Sequence, residues 1–371
     1  MKVFVKLFTS LNLGDDLFLK ILLERYPTIE FVVPAPNVYK KVFGEYKNLN
    51  IIRNPYNQHK AFYYKVLSSL ERTLFPKSYV LRIEKKARQM ASNKNHKADA
   101  FLAIGGSIFM QPRTLPIYFD IEYYKMVKKY FKNTFFIGCN FGPFKNIEYK
   151  KGFSEVFSEA NDVCFREKYS WELFSELENV RCKPDVVFGL EVPAYKKKPG
   201  TVGFSIITPR NKVNKKKYIK KYAELIEFYR SKGYEVFLFS FCKTQGDELI
   251  INSIVDLLKE TSGINKVFYS GNIAEFLRIY GSVEKMYCGR FHAMILSMLF
   301  DQFIFPVIYS EKMTNVLHDI EYEGDIISLD KFAEINPELL FKQMELNKYN
   351  ITHIRKNGRE QFAKLDLFIK E

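Results

Sequence analysis

The chain has 371 residues, enough for two ordinary domains, and 47% of them are apolar, as full hydrophobic cores require. Lys and Arg outnumber Asp and Glu 57 to 42, a net charge of +15, which favours polyanions, anionic lipid surfaces or phosphorylated and carboxylated small molecules without choosing among them. Five cysteines, an odd number without a Cys-x-x-Cys pair, indicate neither a zinc site nor a disulfide framework, and no apolar run approaches the roughly 20 residues that span a bilayer.

Residues 3–8 read as an alternating strand and not as a signal peptide, so a cytoplasmic protein is expected. A polar turn holding Gly14-Asp15-Asp16 leads into a helix over 17–25, and a strand follows over 29–34. This β-α-β opening argues for a parallel sheet. The turn is not G-x-G-x-x-G, so a dinucleotide fingerprint is absent. It is either a simple capping turn or a loop lining a cleft. Residues 57–97 read as basic, aromatic helices, an insertion over a sheet edge or a flap. A buried strand over 98–104 ends in Gly105-Gly106-Ser107, and one over 133–139 ends in Asn140-Phe141-Gly142-Pro143, with a helix at 122–131 between them. Glycine there lets backbone approach a ligand or a neighbouring loop. Neither loop has the Lys-Ser/Thr ending of a Walker A motif, which argues against ATP hydrolysis. Arg166 and Glu167 close a strand over 162–167, before a helix capped by Ser170. Arg166 is then either half of a surface ion pair or a planar fork for carboxylate or phosphate. Residues 184–188 complete this half.

The charged breaker run Lys196–Gly200 marks the domain boundary, giving domains over 1–195 and 200–335. The second repeats the pattern, with strands at 201–206, 234–240, 266–269, up to Cys288, and 303–307, and helices at 217–231, 246–260, 273–280 and 293–300. Arg210 follows its first strand, either as a solvated loop residue or facing the cleft. Residues 336–371 read as an amphipathic helix that reaches back across the hinge. The richest stretch is Lys285–Ala293, a strand, a tight turn and a helix start. It sets Arg290 and His292 at a sheet's carboxyl edge, where open α/β sheets bind ligands. A helix start adds free N–H groups and partial positive charge. His292 is suited to move protons near neutral pH. The other four histidines, at 59, 96, 318 and 353, lie in polar contexts. The whole pattern predicts two Rossmann-like parallel-sheet α/β domains facing a cleft, as in glycosyltransferase-B enzymes, and architecture alone does not give function.

Taken in order, these pieces resemble the polysaccharide pyruvyl transferase family over roughly residues 10–320. The carrying motifs are Gly14-Asp15-Asp16, Gly105-Gly106-Ser107, Gly138 to Pro143, Arg166-Glu167-Lys168-Tyr169-Ser170, Pro184-Asp185, Arg290-Phe291-His292-Ala293 and Tyr309-Ser310-Glu311-Lys312. Members often carry an arginine directly after the first strand of the second domain, whereas here Thr208-Pro209 precede Arg210. The resemblance implies transfer of pyruvate from phosphoenolpyruvate, a co-substrate and not a cofactor, to two hydroxyls of a sugar as a cyclic ketal, in cell-surface or exopolysaccharide biosynthesis. It implies a donor site of Arg166, Arg290, Phe291, His292 and Arg210 in which His292 and Arg290 are catalytic. It implies acceptor loops with Gly14, Asp15, Asp16, Gly105, Gly106, Ser107, Asn140 and Lys312, and no metal. The acceptor would be a glycan or a lipid-linked saccharide, with peripheral contact at the inner membrane face carried by the basic 57–97 stretch. Two other readings stay open. One is a glycosyltransferase of the same architecture using a nucleotide sugar. The other is a non-enzymatic binder of nucleic acid or lipid surfaces, against which no helix-turn-helix, RNA-recognition or zinc module is visible; no nucleic-acid partner is expected.

Overall fold

A computed structural model describes residues 1–53, 98–111, 118–209 and 214–370, with backbone only at 53 and 118–119. The reading of 57–97 and the position of Arg210 lie outside the described residues. The chain forms two compact units, one of Met1–Thr9, Leu19–Asp185 and Glu360–Glu371, the other of Ser10–Phe18 and Val186–Arg359. The passage between them thus falls at Asp185/Val186, ahead of the Lys196–Gly200 run.

The first unit holds a seven-stranded parallel sheet. Its strands are β1 (Lys2–Lys6), β2 (Glu30–Ala35), β3 (Leu49–Arg53), β4 (Ala100–Ile104), β5 (Asn133–Cys139), β6 (Asp162–Phe165) and β7 (Val180–Cys182), in the order β3-β2-β1-β4-β5-β6-β7. β4 is buried at every position, as a central strand covered on both faces must be. Helices Tyr118–Tyr130 and Ile147–Ser158 follow β4 and β5. The aromatic wealth of the sequence fills the space around them: Phe109 packs edge-to-face on Phe153 and Phe157 at 5.1 Å, and Phe141 on Phe174 at 4.8 Å. Lys6, the last residue of β1, lies over the rings of Tyr123 and Tyr124 at 4.1 and 4.3 Å. Burial lowers its pKa to about 8, against the pull of Asp120.

The second unit holds a six-stranded parallel sheet of β8 (Lys198–Ser205), β9 (Glu235–Ser240), β10 (Ile264–Phe268), β11 (Val283–Cys288), β12 (Phe303–Ile308) and β13 (Ile327–Ser328), in the order β10-β9-β8-β11-β12-β13. Winding reverses between β8 and β11, the switch point at which such sheets open a crevice beyond their carboxyl ends. Phe204 and Tyr287 stack across this pair at 5.0 Å, and Tyr229 and Tyr287 share their hydroxyls at 3.0 Å.

The expected C-terminal helix is three: Pro337–Met344, Thr352–Gly358 and Ala363–Lys370. Asn347 interrupts the first pair. Buried at 6% exposure, its carboxamide donates to Ile304 O and accepts from the Asp325 N–H, a competitor to helical hydrogen bonding. The third helix belongs to the first unit, where Asp366 accepts from Arg25 at 2.6 Å and Tyr26 at 2.7 Å. Residues 186–189 form a short 3-10 turn, and the helix read over 246–260 ends at Val255. Among the described residues no helix is long and apolar enough to cross a membrane.

Candidate functional site

β11 delivers Cys288 to the switch point, and helix Phe291–Leu299 starts three residues later with no side chain capping it and no acidic residue in its first turn. The turn between is pinned by Ser205 at the end of β8, whose Oγ accepts from the Gly289 N–H at 2.8 Å and donates to Tyr287 O at 3.3 Å. Arg290 is 7% exposed. Its Nη1 donates to Gln245 and its Nη2 to Asp247, while its buried Nε has no acceptor among the described residues. Both terminal nitrogens of the guanidinium are thus engaged inside the protein, and Nε is the donor left over.

Asp247 is fully buried at the start of helix Asp247–Val255. Its Oδ2 accepts from the Phe241 and Cys242 amides at 3.2 and 3.1 Å, and its Oδ1 from Arg290. Burial raises its pKa, and the Arg290 charge opposes that shift.

Gly14, Asp15 and Asp16, foreseen as acceptor loops, belong here to the second unit, and Gly14 packs against His292. Their segment is sewn to the same turn: the Leu13 N–H donates to Phe241 O at 3.1 Å, and Asn12 pairs with Cys242. Asn12 Oδ1 accepts from the Gly14 N–H at 3.2 Å, capping helix Leu13–Arg25. Gly14 lies so close to His292 that a β-carbon would overlap the imidazole. Phe18 meets that ring edge-on at 5.6 Å and Phe291 at 5.1 Å. Asp16, fully buried, accepts from the Tyr269 hydroxyl at 2.6 Å. The Lys312 ammonium sits over the rings of Phe291 and Tyr309 at 5.4 and 5.3 Å. Cation, imidazole and helix start together can receive an oxyanion beside a proton donor or acceptor.

In the first unit a separate group gathers beyond β4, β5 and β6. Arg166, 3% exposed, donates to Asp185 Oδ2 at 2.8 Å and to Asn140 Oδ1 at 2.7 Å. Ser107 donates to the same Asn140 oxygen at 3.2 Å, and the Asn140 N–H reaches Gly106 O at 2.8 Å. Gly106 presses on Arg166 so closely that a β-carbon would overlap the guanidinium. Gly105 takes a positive φ of 132° just before it. Arg166 is therefore a buried tie among these loops and not half of a surface ion pair.

Sequence reasoning missed Asp247, Gln245, Asn12 and Tyr269. Asp247 follows a glycine at a helix start, the usual place of a capping aspartate, and nothing local points to Arg290, 43 residues away. Among the described residues no three His, Cys, Asp or Glu side chains converge as a metal site would require. All five cysteines are free.

Several solved structures share the fold. UDP-GlcNAc 2-epimerase of Methanocaldococcus jannaschii, in complex with UDP-GlcNAc and UDP, matches with a TM-score of 0.60 at 11% identity over 100% of both chains. The Neisseria meningitidis UDP-GlcNAc 2-epimerase bound to UDP-GlcNAc matches with 0.60 at 9%, again over 100% of both. Anabaena Alr3699/HepE in complex with UDP and glucose matches with 0.53 at 9%, over 100% of this chain and 97% of that one. At such identities the likeness is one of fold, two parallel-sheet α/β units of the GT-B type. No curated protein matches the chain in sequence. A family model described as polysaccharide pyruvyl transferase matches residues 12–301.

Proposed function

Because the chain belongs to the polysaccharide pyruvyl transferase family, we propose that it moves pyruvate from phosphoenolpyruvate to a pair of sugar hydroxyls. The observation that carries this reading is the pairing of Arg290 with His292 at an uncapped helix start on the switch point. Phosphoenolpyruvate brings a carboxylate and a phosphate, and the Arg290 Nε–H, the helix start and the Lys312 ammonium supply cationic partners of matching number. The reaction needs a proton on the methylene carbon, which leaves an oxocarbenium-like centre at C2. One sugar hydroxyl adds there and loses its proton, the second displaces phosphate, which carries off that second hydroxyl's proton, and the ketal closes. His292 gives the first proton and takes one from an attacking hydroxyl in turn. Arg166 holds the Gly106 and Asn140 loops of the first unit. The acceptor is a glycan or lipid-linked saccharide, and the net charge of +15 supports an anionic saccharide or membrane surface close by.

Phosphate release from phosphoenolpyruvate over a panel of glycans tests the reading. Turnover with one glycan is expected. Thermal stabilisation by UDP- or CMP-sugars and not by phosphoenolpyruvate would replace it with nucleotide-sugar transfer. His292→Ala is expected to remove turnover and leave phosphoenolpyruvate binding within about threefold, and a near-normal rate would clear His292 of the proton role.

A further inference from the structure

One carboxylate joins Arg290, 43 residues further along the chain, to the turn just before it. Asp247 takes Nη2 of Arg290 on one oxygen and two backbone amides, those of Phe241 and Cys242, on the other. The turn that supplies those amides also holds the segment packed on His292, through the Leu13 N–H on Phe241 O and the pairing of Asn12 with Cys242. Gln245, in the loop before Asp247, takes the remaining Nη1. Arg290 is thus fixed from two sides with Nε left over, and His292 is backed by a segment anchored to the same turn.

We propose that Asp247 is a positioning residue: it aims the Arg290 guanidinium at an anionic ligand and, through the Phe241–Cys242 turn, registers the Gly14 segment against His292. The inference rests on the anion-binding reading of this site. It does not depend on the anion being phosphoenolpyruvate.

The opposing possibility is that Asp247 only neutralises Arg290. The two differ in sign. A neutralising carboxylate weakens anion binding, so its removal would tighten it. A positioning carboxylate strengthens anion binding by holding the cation in place, so its removal loosens it. Asp247→Asn keeps shape and volume and removes the charge. Titration of wild-type and Asp247→Asn full-length protein with inorganic phosphate and with phosphoenolpyruvate, followed by calorimetry, reads the sign directly. A Kd at least tenfold weaker is expected for both anions. In turnover the same variant is expected to show a KM for phosphoenolpyruvate raised at least tenfold with kcat changed less. An unchanged or tighter Kd overturns the proposal. If phosphate binding weakens in the variant while wild type turns over no phosphoenolpyruvate with any glycan, the positioning role stands and the pyruvyl-transfer reading falls. If wild type turns over phosphoenolpyruvate and the variant binds it equally well, the reverse holds. If wild type binds neither anion, both fall. Should Asp247→Asn lose its folded circular-dichroism signal, Gln245→Ala carries the test: a Kd weakened threefold or more supports positioning, and an unchanged one overturns it.

Discussion

Gly14 is set by the space beside it. The imidazole of His292 occupies the volume a side chain would need, so Gly14→Ala must push the ring from its place between Phe18 and Phe291. Displacing a catalytic group by about 1 Å costs on the order of 100-fold in rate. Gly14→Ala is accordingly expected to lower kcat by about that factor with little change in melting temperature, and an unchanged kcat would show that His292 tolerates movement. His292 and Arg290 were legible in the sequence because a strand, a turn and a helix start are adjacent along the chain. Their supports were not. Gly14 lies nearly 280 positions before His292, and only the closed fold shows that this glycine abuts the imidazole.

At the scale of elements, the ends of β4, β5 and β6 are tied by one buried ion pair. Arg166 and Asp185 have almost no exposure, so removing one partner takes a buried counter-charge from the other, at a cost of about 3–5 kcal/mol. Urea denaturation of Asp185→Asn is expected to show a loss of that order, and a loss below 1 kcal/mol would show that water reaches the pair. β1 ends on the opposite situation. Lys6 is half-buried without a hydrogen-bond acceptor among the described residues, on two tyrosine rings. Its folded pKa of about 8 lies below the ordinary lysine value, so between roughly pH 8 and 10.5 the unfolded chain holds a proton the folded one has released. Stability then rises with pH across that window. Lys6→Met is expected to be more stable than wild type at pH 7, with the gap closing by pH 10; a gap of constant size would place the titration elsewhere. The strands with continuous apolar runs, β4 and β5, could be read directly. β3 and the two-residue β13 could not, since Asn50 and Arg53 break the apolar run of β3 at the sheet edge and β13 is too short to carry a pattern. The C-terminal helix was misread because Asn347 acts through Ile304 and Asp325, partners that no periodicity reveals.

At the scale of the whole molecule, neither unit is one continuous stretch of chain. The first is closed by the last residues: Gln361 accepts from the Gly138 N–H and donates to Phe165 O, Lys183 O and Pro184 O. Truncation after Arg359 removes these bonds and the Asp366 pairs, and at about 1 kcal/mol per bond it is expected to cost about 4 kcal/mol or more, measured by urea denaturation. It is also expected to speed hydrogen exchange at the Gly138 amide. The two sheets were legible from the alternation of strands and helices, and the C-terminal segment was read as returning across the hinge; the passage of residues 10–18 into the second unit was not legible, because they carry no composition that distinguishes their unit. That passage has a consequence in time. On the ribosome, Leu13, Leu17 and Phe18, all without exposure in the finished protein, emerge long before the Phe291–Leu299 helix is made. At translation rates of roughly 5–20 residues per second, the delay is on the order of ten seconds to a minute. During that interval the nascent chain presents an unsatisfied apolar half-helix, and the imidazole's seat is completed only once most of the polypeptide has been synthesised.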